Sequence, residues 1–467
     1  MADNERGLIA HLLRRAGFGA TRDELEVYAA LGYDAVVEEL LHPEQVSDID
    51  EDVLRRYHLS LAHDEHLNAW TAHWIYRMIN SCRPLEEKIA LFWHHVFATG
   101  WDKGEHTPSM IGQIAMFRRV GLSDLRTILL ELSRDPAMIY WLDNEENHRD
   151  APNENYGREL MELFSMGVGH YSEDDIKQAA RAFTGWTVEQ PIPLYPYGPY
   201  PTRFVYRPED HDDSEKTFLG HAGRLNGEDI VDIIVRQPAT PRFIARHMYN
   251  FFVADEPQVP AWSVVPPQNQ AAIDALVQAY DRSGGDIREM LRVLFTADWF
   301  KAAQFRKVKS PAELMVGTIK LTGTHRFPEP GLVALPATMG AMGQRLMNPP
   351  TVEGWHTGRE WIDGGTLNER VNFAVNEVGD VAKPGIQAIV DRLSALGPTI
   401  SPEQLVDGCL DLAGPVEVDP ETRGALCRFA ESGGPLSFAS EAEREASAAR
   451  VARMLQLIVS SRHYQLA

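Results

Sequence analysis

The sequence predicts a mainly helical, all-α fold: one large elaborated helical domain with a small β-hairpin excursion near 203–220. Three observations predict it. Apolar residues recur at helical spacing along most of the 467 residues. The segment after Pro84 is apolar nearly all round, as a buried helix is. Only Phe204-Val205-Tyr206 and Thr217-Phe218-Leu219 read as strands, expected here as the two arms of one hairpin.

In chain order, Leu8, Leu12 and Leu13 open the helical pattern, followed by Arg14-Arg15 and the turn Gly17-Phe18-Gly19-Ala20. Thr21 with Glu24 three residues on forms a capping box. A helix over about 66–80 carries Trp70, Trp74 and Met78. Pro84 starts the next, at the position where its missing N–H costs nothing. Five prolines between Pro191 and Pro201 forbid regular helix there and leave a lid or a docking surface. Helices resume at Gly227 and near Thr240, and again over 269–283, 286–302 and 310–322. Pro349 to Gly365 reads as an irregular ordered loop. Residues 1–383 form the main region; four more helices follow in 384–467, packed on the same domain.

Composition narrows the function classes. The charged residues, 45 basic and 67 acidic, give a net charge of -22. Such a surface repels phosphate backbones and anionic headgroups, so neither nucleic acid nor a membrane is the expected partner. Cys82, Cys409 and Cys427 are widely spaced and odd in number, which fits a reduced compartment and no disulfide framework. The N-terminus lacks a basic stretch followed by an apolar one, so the chain as it stands is expected to be cytoplasmic. HExxH, GxSxG, Walker A and CxxC motifs are absent, which removes the standard zinc proteases, α/β-hydrolases and P-loop enzymes.

The candidate chemistry centres on 153–164. At about 100° per residue, Asn155, Glu159 and Glu162 share one side, with Glu154 and Arg158 beside them. Tyr156, Leu160, Leu163 and Phe164 occupy the other. Three carboxylates around a guanidinium can form an acid/base pair, a divalent-cation site or a clamp for a polar ligand. An amphipathic surface helix with salt bridges at four-residue spacing has the same pattern. His94 and His95 sit inside the apolar helix, where core histidines with satisfied ring nitrogens are common. Gly167 reads as a helix stop and Ser172 as the cap of a helix opening Glu173-Asp174-Asp175. His63 and His66 lie three apart among polar residues, and His211 stands between the predicted strands in a turn.

The opening His11-Leu-Leu-Arg-Arg-Ala-Gly-Phe-Gly, Pro84-Leu-Glu-Glu-Lys, Asp135-Pro-Ala-Met and Pro152-Asn-Glu-Asn-Tyr-Gly-Arg-Glu-Leu-Met-Glu-Leu-Phe carry a resemblance to a known family. Ala182-Phe-Thr-Gly-Trp, Lys309-Ser-Pro-Ala-Glu-Leu and Tyr464-Gln-Leu continue it. Together they resemble the bacterial domain-of-unknown-function 1800 family, over essentially the whole chain. The resemblance implies one helical domain and no named activity. It implies export for many members and a protein partner of a sulfatase-like family. Where the family shows His-x-His, this chain has His94-His95-Val96, so a metal site needing both histidines is incomplete.

The reading that follows is a hydrolase or transferase on a polar, carbohydrate-like substrate. Glu159, Glu162 and Glu154 are the expected catalytic residues. Arg158, Asn155, His94, His170 and His211 are the expected binding residues, a divalent metal is the candidate cofactor, and Trp101, Trp186 and Trp355 are candidate sugar platforms. The alternatives are a non-catalytic scaffold that binds a protein partner, and a cofactor-binding helical oxidoreductase using His94 or His247.

Overall fold

The computed structural model describes residues 2–57, 67–191 and 202–467; His63, His66 and positions 192–201 lie outside them. Twenty-four α-helices and three two-stranded antiparallel sheets make up the described architecture. No helix among these residues is long and apolar enough to cross a membrane.

Local chemistry sets most helix starts. Thr21 and Glu24 make the reciprocal capping box that opens Arg22–Leu31, and Pro84 opens Pro84–Val96. Within Pro84–Val96, every residue from Leu85 on except Glu86 is buried, and the helix lies against Thr107–Val120. Leu67–Asn80 precedes it and buries Trp74 completely. Around this centre the aromatic core extends through Phe92, Phe252 and Phe295, whose rings pack at 5.5–5.8 Å.

The four C-terminal helices are Pro384–Ser394, Pro402–Leu412, Pro420–Ser432 and Glu441–Ser460. Glu441–Ser460 lies along Gly364–Gly379, and Pro384–Ser394 lies against Pro311–Thr322. The chain end returns to the main region, where Val308 and Leu466 form an isolated antiparallel bridge. The stretch expected as one helix over 286–302 is broken at Ala297, whose extended backbone separates Ile287–Thr296 from Asp298–Lys301.

The expected single hairpin is two. Arg203–Tyr206 pairs with Trp186–Glu189, and Lys216–Phe218 pairs with His221–Gly223. Phe218 faces His221 across a two-residue turn, Leu219-Gly220, with φ of 45° and 80°. Two successive positive φ values make the turn whose twist matches paired strands, so Lys216–Phe218 is captured locally by its own neighbour. A third sheet, Thr399–Ile400 with Leu436–Ser437, is too short to leave a sequence signal.

Candidate functional site

Asn155–Glu162 is anchored by one face. Tyr156 is buried, its hydroxyl 2.6 Å from Ser133 Oγ and its ring edge-on to Phe183 at 5.0 Å. Gly157 lets the helix approach Glu173–Ala182: a Cβ there would stand 3.2 Å from Ala179 Cβ. The other face therefore carries Glu154, Arg158, Glu159 and Glu162, all half-buried.

These groups are not equivalent. Arg158 forks onto Glu173, Nη1 to Oε1 at 3.0 Å and Nη2 to Oε2 at 3.1 Å, and lies 3.6 Å from Glu154. Glu162 accepts the Tyr171 hydroxyl at 2.8 Å. Burial, with the Glu162 and Glu353 carboxylates adding to it against Arg158, pushes the Glu159 carboxyl up to about 7. Asn155 is turned away and donates to Asp143 Oδ2 at 3.1 Å.

The helix ends at Glu162 with Leu163 as its C-cap, and a turn follows to Gly167, whose φ is 79° and whose N–H reaches back to Met161 O at 3.0 Å; Ser172 with Asp175 caps Glu173–Ala182 as expected from the sequence. A Cβ at Gly167 would come 3.0 Å from the Phe243 ring. Gly167→Ala is therefore expected to destabilise the fold by about 1–2 kcal/mol, since it adds a left-handed alanine to a clash. Chemical denaturation measures it.

Phe243 belongs to a cleft of about 440 Å³ beside this turn. Glu162, His170, Glu353, Arg242, Arg246 and Gln270 supply most of its polar lining; Phe243, Trp262 and Leu163 supply much of its apolar one. A cleft of this size, mainly apolar with a few convergent polar groups, has the form of a small-molecule site. The helix Ala239–Phe252 and the 3₁₀ turn Val259–Ser263 hold the apolar wall. Arg246 joins them: Nε and Nη2 reach Glu256 Oε2 at 3.1 and 2.8 Å, and Nη1 reaches Val265 O at 2.8 Å. Its guanidinium also lies 4.7 Å from the Trp262 ring centre.

The structure brings Glu159, Glu162 and His170 to or beside the cleft, and leaves the other expected residues elsewhere. His94 is fully buried, accepts from the Met347 amide at Nε2 (3.0 Å), and stands edge-on to Trp74 and Trp355. Burial pushes it down to about 3, so it is neutral. His211 is buried with Nδ1 2.9 Å from Thr184 O. His247 lies behind the apolar wall, 4.6 Å from both the Trp262 and Phe243 ring centres. Trp186 and Trp355 are core residues, and the Trp101 indole donates to Thr107 Oγ1 at 3.1 Å. Asp135, in the same family-like stretch, caps Pro136–Trp141 through the Met138 amide. Among the described residues, no three His, Cys, Asp or Glu side chains converge to hold a metal ion.

Trp262, Phe243, Arg246 and Glu353 were not singled out by the sequence. Glu353 lies within the loop read over Pro349 to Gly365, and Pro257, Pro260, Pro266 and Pro267 punctuate the chain around Trp262, but neither segment says what it faces.

Fold and site together define a helical protein with a surface cleft flanked by an acidic helix. The chain belongs to the family described as proteins of unknown function, DUF1800, whose sequence model matches residues 11–466. No curated protein and no solved structure matches it.

Proposed function

We propose that this chain is a hydrolase or transferase that takes a polar, carbohydrate-like substrate in the cleft between Glu162 and Trp262. The observation that carries the reading is that the Glu162 and Glu353 carboxylates and the Phe243 and Trp262 rings line one cleft. Sugars present apolar C–H faces and hydroxyl edges, which such a pair of walls complements. Glu159, whose carboxyl is pushed up to about 7 by burial, is the proton donor to the leaving oxygen, and Glu162 is the base that activates water or an acceptor hydroxyl. His170 stands at the rim. The carboxyls do not converge into a metal-ligand set among the described residues, so acid/base roles rest on the side chains themselves.

The test is turnover of a panel of chromogenic glycosides. Wild type cleaves a member of the panel, and Glu159→Gln and Glu162→Gln each lose about a hundredfold or more in kcat. Full activity in both variants, or no cleavage by wild type of any member, refutes the reading.

Stability supplies the companion measurement. Glu159 binds its proton more tightly folded than unfolded, so the fold loses stability as pH rises from about 4.5 to about 7 and is level above that. Glu159→Gln removes this loss. Its melting temperature is expected to equal or exceed wild type at pH 8, with the difference gone below pH 4.5. A variant much less stable than wild type at pH 8 makes Glu159 a structural group.

A second reading, a partner-binding protein without catalysis, is favoured by Arg158, which is spent on Glu173 and Glu154, and by the exposed Val168 and Val264 near the cleft. Loss of partner capture on Val264→Asp, with no turnover by wild type, decides for it.

A further inference from the structure

A second set of side chains, sharing no residue with the cleft, collects cations where the two chain ends meet. The helix Ala2–Arg15 brings Arg14 and Arg15, Pro84–Val96 brings Lys88, the segment before Pro311–Thr322 brings Lys307 and Lys309, and Gly364–Gly379 brings Arg370. The C-terminal residues Tyr464–Leu466 close the group. Four of the segments that carry the family resemblance therefore meet here.

The side-chain anions do not match the side-chain cations, although the backbone carboxyl group of Ala467 also lies on the cavity they line. Glu313 is central, but both its oxygens are engaged, one by Lys88 and the other by the Ser310 amide at 2.7 Å. Asp255 accepts the Val308 amide at 2.8 Å and lies 3.5 Å from Lys307. Glu417, the acid nearest in influence to Arg14, is exposed.

Arg14, Arg15, Lys309 and Arg370 bond to neutral groups instead. Arg14 Nη1 donates to Gly414 O at 2.8 Å, Arg15 Nη2 to Val253 O, and Lys309 Nζ to Tyr464 O at 2.8 Å. Arg370 donates to Lys309 O at 2.7 Å and Gln465 Oε1 at 2.8 Å.

Several donors remain buried with no partner: Nε and Nη2 of Arg14, Nε and Nη1 of Arg15, and Nη1 of Arg370. Arg15 and Arg370 are fully buried. Leaving buried charged donors unpaired is costly, and in an interior it is compensated by an opposite charge. Burial pushes Lys309 down to about 7 and Arg14 to about 10, with the neighbouring arginines adding to it in both.

Arg14, Lys309, His463 and Tyr464 line a cavity of about 60 Å³, with Glu313 on the same wall and Phe305 beneath the Arg14 guanidinium at 4.8 Å. Since roughly 10–15 Å³ already admits one water, the space takes one small tetrahedral anion and little more. We propose that this cavity is a binding site for a free inorganic oxyanion of the phosphate or sulfate class, held by Arg14 and Lys309 and drawn in by the field of Arg15 and Arg370. The guanidinium fork of Arg14 offers the planar, paired donors that suit such oxygens. Bound there, the anion ties the first helix to the C-terminal segment and stabilises the fold by mass action.

Calorimetric titration of wild-type protein with inorganic phosphate, and with sulfate, tests this directly. Melting temperatures are compared in phosphate and in chloride at equal ionic strength. Saturable heat with either oxyanion and a melting temperature raised above the chloride value, both lost in Arg14→Gln, are the expected results. Glutamine at position 14 keeps a side-chain amide that can donate to Gly414 O as Arg14 does, and the wild-type titration needs no variant. An equal response to chloride, no saturable heat with phosphate or sulfate, or binding undiminished in Arg14→Gln overturns the site. Saturation by phenyl phosphate but not by either inorganic anion overturns the assignment to a free oxyanion.

Discussion

Glu87→Ala is expected to lower the free energy of unfolding by about 3–5 kcal/mol, the usual cost of breaking a buried ion pair on one side. The Glu87 side chain is fully buried between Leu67–Asn80 and Thr107–Val120. It accepts Trp74 Nε1 at 3.0 Å, Arg77 Nε at 2.6 Å and Arg118 Nε at 2.8 Å. Three donors from two helices thus converge on one carboxylate, and its removal leaves the Arg118 ion pair and the Trp74 hydrogen bond unmade. Arg77 keeps Asp48 and Glu51, whose side chains are each 39% exposed. The matching control is Asp48→Ala, expected to cost no more than about 1 kcal/mol because half-exposed pairs contribute little. Urea unfolding of both variants, with unchanged slope, measures the difference. Equal losses in the two would mean that the network is not organised around Glu87.

Sequence revealed the parts of this molecule that are decided locally. Thr21 with Glu24, Pro84, and Ser172 with Asp175 mark helix starts because a cap needs only residues three apart. The C-terminal helices were legible for the same reason, three of them opening on Pro384, Pro402 and Pro420. The strands at 203–206 and 216–218 were legible but their pairing was not, because leucine at position 219 gives no sign of a positive φ, and the nearer partner His221–Gly223 carries no strand pattern.

The site divides in the same way. The acidic face of Asn155–Glu162 follows from helical spacing, and Gly167 from the need for a stop. What that face looks onto does not follow, since Glu353 and Trp262 come from segments roughly 190 and 100 positions further on. Nor could spacing separate His94 from a ligand, because its partner, the Met347 amide, is 253 positions away. Burial of arginine is invisible too: Arg14 and Arg15 read as an ordinary basic helix end until the chain terminus folds over them.

Arg246→Ala is expected to cost a comparable 3–5 kcal/mol and, unlike Glu87→Ala, to dismantle the candidate site. Both partners of the Arg246–Glu256 pair are buried, with side-chain exposures of 7% and 0%. Glu256 would keep only the Gln268 amide at 2.8 Å and hold a charge it cannot solvate. The same substitution releases Val265 O and removes the cation from the face of Trp262, so the turn Val259–Ser263 loses its tie to Ala239–Phe252. Trp262 Nε1 still reaches Pro257 O at 2.7 Å, but both groups belong to the released segment and cannot position it. Any ligand of the cleft should therefore weaken more in Arg246→Ala than in Arg126→Ala, whose half-exposed side chain pairs with Asp232 away from the cleft. Arg246→Met with Glu256→Leu separates charge from shape. An apolar pair of similar volume should recover most of the stability, because the buried acid is gone with its partner. It should not recover ligand binding, because neither side chain can hold Val265 O or stack a charge on Trp262. Recovery of both would show that the wall needs only bulk at these positions; recovery of neither would show that the loop, not the pair, sets the stability of this region.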